Sequence, residues 1–130
     1  MTRGLVGLLL LAASALSSPV SAHHALASEY DSQQRITLKG KLVDIDWRNP
    51  HPHFFIVEDG GVKWAIAAAT PSMLTRFPGG WTRTKVLARV NEVITIVGWK
   101  ARDGSNRIYG DMLTFADGQQ MKMGIGLTGA

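Results

Sequence analysis

Cysteine is absent from this 130-residue chain. Disulfides, thiolate metal sites and the acylated cysteine of a bacterial lipoprotein are therefore excluded. Dense charge of one sign is missing too. Lysine and arginine number 14 against 10 acidic residues, a net charge of +4. They are scattered (Arg35, Lys39, Lys41, Arg48, Lys63, Arg76, Arg83, Lys85), as on an ordinary solvated surface, whereas a nucleic-acid footprint is denser. The longest apolar stretch, Gly4 to Leu16, is too short for a comfortable membrane span and has no stop-transfer flank. No nucleophile elbow, phosphate loop or paired-carboxylate constellation stands out. Ser72 and Ser105 have turn or cap explanations, and hydrolase chemistry would need a base oriented by a third group. Asp103-Gly104-Ser105-Asn106-Arg107 lacks the alternating carboxylates and closing Glu of a calcium loop and reads as a hairpin turn.

What is present begins with an export signal. Arg3 supplies the positive start, Gly4 to Leu16 the short apolar core, and Val20-Ser21-Ala22 the small-x-small pattern read by signal peptidase. Residues 1–22 are thus expected to be removed, giving a periplasmic or secreted bacterial protein with no stable membrane insertion after cleavage. An uncleaved N-terminal anchor is the alternative. Ala25-Leu26-Ala27 is a second cleavage site, further from the apolar core. A cut there would discard His23 and His24.

Short runs of Val, Ile, Thr and aromatics separated by Gly, Pro, Asn and Asp predict a mostly β domain. Residues 23–35 read as a polar N-terminal arm, 36–123 as the domain and 124–130 as a Gly-rich flexible tail. The first strand spans Ile36 to Trp47. Its inward set switches from Leu38 and Leu42 to Val43, Ile45 and Trp47, which calls for a bulge or bend near Gly40 to Val43. His53 to Glu58 and Val62 to Ala68 pair across an Asp-Gly turn. Thr70 caps a short helix, Ser72 to Phe77, with Pro71 at its first position. Trp81 to Val90 reads as a connection with some strand character. Val93 to Lys100 is a buried central strand, followed by Ile108 to Phe115 and a short last strand, Gln120 to Met123. This order fits a small five- to six-stranded OB-like barrel with one short helix. A small β-sandwich is the alternative.

Several motifs occur in a fixed order: His23-His24 after a signal, Glu29-Tyr30-Asp31, Asp46-Trp47-x-Asn49-Pro50-His51, Gly80-Trp81-Thr82-Arg83 and Ala101-Arg102-Asp103-Gly104-Ser105. In these the chain resembles domain-of-unknown-function family 6152, small exported bacterial proteins. The resemblance spans nearly all of the mature chain. It implies export and a compact β domain, and it assigns no activity, cofactor or catalytic residue. The family pattern often has Ser and an aromatic after His-His, where this chain has Ala25-Leu26. It often has a Pro-Gly-Asp turn before the central strand, where this chain has Val90-Asn91-Glu92, a different turn.

The chain's 4 histidines fall in two tight pairs, His23-His24 and the His51/His53 pair of Asn49-Pro50-His51-Pro52-His53. All are candidate metal ligands. A cut after Ala22 would give His23 a free α-amine beside its imidazole, a nitrogen donor set that suits Cu(II) above other ions. Zinc would want a further ligand, for which Asp31, Asp46 and Glu29 are equal candidates. The competing reading is bland: chain ends often carry unpartnered histidines, and Asn-Pro-His is turn chemistry with Asn49 bonding its own backbone. Met112, Met121 and Met123 are thioethers suited to Cu(I), but Met121 and Met123 share one strand face and read as packing. Among the 4 tryptophans, Trp64 and Trp99 alternate into the core. Trp47 and Trp81 flank loops and, with Asn49, form a candidate ligand-binding rim.

The leading expectation is a non-enzymatic exported binding module with a histidine copper site at its mature N-terminus. A metal-free module that binds a small ligand or a periplasmic protein is the alternative, with no nucleic-acid partner. A copper oxidative enzyme ranks last, because no second catalytic group stands out.

Overall fold

The computed structural model describes residues 25–127. The expected signal segment, His23 and His24 lie outside the described residues.

Six strands form one sheet: β1 (Tyr30–Asp46), β2 (His53–Val57), β3 (Lys63–Ala67), β4 (Val93–Ala101), β5 (Arg107–Thr114) and β6 (Gln120–Lys122). The sheet runs β3-β2-β1-β4-β5-β6, and β3 also pairs with β5. That parallel pairing, Ala65–Ala67 against Arg107–Tyr109, closes β1, β2, β3, β5 and β4 into a ring, with β6 as a hairpin partner of β5. Closure removes the exposed edges of an open sheet. The expected OB-like barrel is the observed architecture.

One strand bends to make the ring possible. The first part of β1 pairs with β4 and the last part with β2, and Lys41 belongs to both ladders. Gly40 sits at the bend, where a Cβ would lie 2.6 Å from the Val57 carbonyl oxygen, closer than any side chain tolerates. The register shift falls between Leu42 and Asp44, inside the predicted window. It makes Val43 the extra residue of the bulge, 38% exposed, where an inward position was expected; a bulged residue is left out of the alternation. Ile45 does turn inward, 8% exposed.

The interior is filled by Leu38, Leu42, Ile45, Phe54, Ile56, Ile66, Ile94, Ile96, Ile108, Leu113 and Met121. Between β3 and β4 come two short helices, α1 (Pro71–Arg76) and α2 (Arg83–Leu87). Thr70 Oγ1 accepts from the Met73 amide at 3.3 Å and Pro71 opens α1, as expected. The second helix corrects the expectation of a partly extended connection and of a single helix. Thr82 Oγ1 accepts from the Lys85 amide at 3.3 Å, a second N-cap of the same kind. Five residues are too few to show helical periodicity. Leu74, Val86 and Trp81 pack into the core, and the Trp81 ring lies 5.2 Å from Phe115.

The departures at the chain ends matter most for function. β1 begins at Tyr30, so part of the expected polar arm is sheet. Residues 25–29 are a helical turn. Residues 124–127, expected to fray, are docked: Leu127 is 3% exposed. Gly124 crosses so close to Tyr109 that a Cβ there would lie 2.6 Å from the phenol oxygen. Val90-Asn91-Glu92 is a tight turn with Asn91 at φ 80°, the left-handed conformation asparagine tolerates. No helix among the described residues is long and apolar enough to cross a membrane.

Candidate functional site

Register places one row of residues on the outside of the barrel. Arg35 pairs with Trp99, Trp99 with Tyr109, Tyr109 with Ala67, Ala67 with His53, and His53 with Asp46. Directly paired residues share a face. Trp99 therefore points outward, where an inward position was expected. It stacks on Tyr109 at 6.2 Å and lies under the Arg35 guanidinium at 5.1 Å, and Arg35 is held by Asp111 at 2.6 Å. Trp64 keeps the inward side, opposite Ile56, but only half-buried; its Nε1–H donates to Glu58 at 3.0 Å.

Tyr109 is the centre of a second buried cluster with Leu26, Tyr30, Ala67, Ala101 and Leu127. The two tyrosine rings are 6.0 Å apart. Burial is the main reason that both phenols are pushed up to about 12, with the nearby Glu29 adding to the effect at Tyr30. Two chain ends supply the cover, Leu26 from the N-terminal side and Leu127 from the C-terminal side. Sequence reading missed this cluster. Tyr109 alternates with the inward Ile108, and nothing local to Leu26 or Leu127 reveals what covers it.

His51 joins the same face. Its ring meets Tyr109 edge-on at 6.4 Å, and its Nδ1 lies 2.7 Å from the Ala68 carbonyl oxygen. A carbonyl only accepts, so Nδ1 carries the hydrogen, which leaves Nε2 as the nitrogen able to offer a lone pair. A backbone carbonyl on the other ring nitrogen is the arrangement that orients metal-binding imidazoles. His53 differs. Its Nδ1 is buried with no hydrogen-bond partner, and burial, with the nearby Arg48 charge, holds its pKa below the usual histidine value. Register places His53, and the contacts to Tyr109 and Ala68 place His51, on the same side of the barrel, but only His51 has a fixed tautomer.

No group of three or more His, Asp or Glu side chains among the described residues is arranged to hold a metal ion. A complete site needs ligands beyond them. Of the expected rim, Trp47 is half-buried against the core and Asn49 is exposed. Trp81 is 3% exposed and its Nε1 is unpartnered. Trp81 is an internal plug of the helical end, because Leu74, Val86 and Phe115 close over it, and it offers no face to a ligand. Met121 and Met123 are fully buried, which leaves them as packing. Asp103 makes the expected turn, accepting from the Ser105 amide at 2.9 Å and hydroxyl at 2.6 Å.

The family described as "Family of unknown function (DUF6152)" matches residues 10–109. No curated protein matches the chain.

Proposed function

The chain belongs to DUF6152, and we propose that it is an exported, non-enzymatic binding module that takes up one Cu(II) ion. The donors would be Nε2 of His51 and the amine and imidazoles that processing leaves at His23 and His24, with His53 beside them. One observation carries this reading. His51 is pre-oriented by the Ala68 carbonyl at 2.7 Å on the face where the described chain begins. Leu26, two residues past His24, packs in the cluster of Tyr109, and Tyr109 packs against His51. An amine and two or three imidazoles form a nitrogen set that favours copper over zinc. The ligands must shed protons, so binding would weaken as pH falls.

Native mass spectrometry of protein recovered from the periplasm, followed by copper titration, tests it. The expected result is one copper per chain, with affinity at least about 10-fold weaker in His51→Ala. Protein that retains no copper, or binding that His51→Ala leaves unchanged, would overturn the reading in favour of a metal-free module for a small ligand or a periplasmic protein.

A further inference from the structure

Of the two cleavage sites in the sequence, one cuts within a segment that the fold uses. Residues 25–29 form a helical turn, with Leu26 buried between the exposed Ala25 and the half-buried Ala27. The Ser28 hydroxyl donates to the Ala25 carbonyl at 2.8 Å. Leu26, 6% exposed, fills a socket made by Tyr30, Ala67, Ala101, Tyr109 and Leu127. Arg102 fastens the turn twice, through its amide to the Glu29 carbonyl at 2.9 Å and through Nε to the Ala27 carbonyl at 3.2 Å. The Glu29 carboxylate is paired with Arg107, whose guanidinium lies over the Tyr30 ring at 5.8 Å.

Signal peptidase works on an unfolded chain, so the fold does not block either cut. The products differ. A chain starting at Ser28 loses Leu26 and the Ala27 carbonyl, and with them the cover from the N-terminal side over two rings that are each 2% exposed. A chain starting at His23 keeps the whole socket filled. We propose that maturation cuts after Ala22 and not after Ala27, and that Leu26 is the plug that tethers the new N-terminus to the face carrying His51. Leu26 is a positioning residue; it offers no atom to a metal. The inference shares with the proposed function the reading of residues 1–22 as an export signal, but it does not depend on copper.

Express the full chain, recover it from the periplasm, and determine its intact mass and N-terminal residue. The expected start is His23. A start at Ser28, a start elsewhere beyond Leu26, or an uncleaved Met1 overturns the proposal. A start at His23 with no copper retained sinks the function above and leaves this inference standing.

The plug role has its own readout. Leu26→Ser in the same chain is expected to lower Tm by roughly 5 °C or more and to bring tyrosine ionisation, followed at 295 nm, from about 12 back toward about 10. Leu26→Met, of similar volume, is expected to restore both. Unchanged Tm and unchanged tyrosine titration in Leu26→Ser would overturn the plug.

Discussion

The barrel interior and the patch over Tyr109 are both apolar and both shut off from water, but they are closed by different means. The interior is sealed by consecutive strands whose inward positions meet around the ring: Phe54, Ile56, Ile66, Ile96, Ile108 and Leu113 are all fully buried. The outer patch is sealed by two chain ends, Leu26 and Leu127, that arrive from opposite termini over aromatic rings of β1, β4 and β5. Each of these six residues lies on a strand of the hydrogen-bonded ring. The cover is held by one leucine from each end, a pair of Arg102 hydrogen bonds and an exposed ion pair. The first region can be lost only with the fold, whereas the second can open locally.

That contrast can be broken most severely from inside. Phe54→Ala, at a site with no exposure, is expected to cost about 3–5 kcal/mol, a large part of the stability of a domain this size. Urea unfolding followed by tryptophan fluorescence would show it. Gly40→Ala, which sets a Cβ 2.6 Å from the Val57 carbonyl, is expected to cost about 2 kcal/mol or more by forcing the bent strand off its partner. The same unfolding curve measures it. Leu127→Ala should cost about 2 kcal/mol and make both tyrosines ionise at lower pH while the interior stays intact. A loss equal to that of Phe54→Ala would mean that the two regions are one cooperative core.

The outer patch also has a pH signature that the interior lacks. Tyr30 and Tyr109, the only 2 tyrosines of the chain, are pushed up to about 12 when folded against an ordinary value near 10. The unfolded chain therefore releases these protons first. The stability they contribute is complete below about pH 10 and is lost as pH rises from about 10 to about 12. Chemical denaturation between pH 8 and 12 should show the decline, and Tyr109→Phe should reduce it. The smallest effect is expected from Arg107→Gln. It breaks the exposed pairs to Glu29 and Asp103, which solvent screens, and should change hydrogen exchange over residues 25–29 more than global stability.

Much of the barrel was legible along the chain. The strand order, the Asp-Gly hairpin, the Thr70-Pro71 helix start and the bend at Gly40 to Val43 follow from alternation, capping and turn chemistry, which are local in sequence. The second helix was missed because five residues carry too little pattern, and Val43 because a bulge suspends the alternation that was used to place it. Less of the candidate site could be read. His51 and His53 stand out by type, but nothing near them predicts that the Ala68 carbonyl selects the tautomer of one and that burial leaves the other unpaired. Trp81 and Trp99 exchanged expected roles. Whether a loop-flanking indole plugs a barrel end, or a strand indole faces out under an arginine, depends on what the rest of the chain lays over it.

The order of residues alone determined that this chain builds a cysteine-free, mostly β domain with a bent first strand and two histidine pairs, because hydrophobic period and turn propensity act within a few residues of where they are written. Only the tertiary structure decided that the ring closes through β3 and β5, that Leu26 and Leu127 cover Tyr109 and that His51 stands on that same face. Those contacts join Leu26, His51, Tyr109 and Leu127, and apolar burial, being non-directional, leaves no mark in sequence of which distant surface a leucine will find.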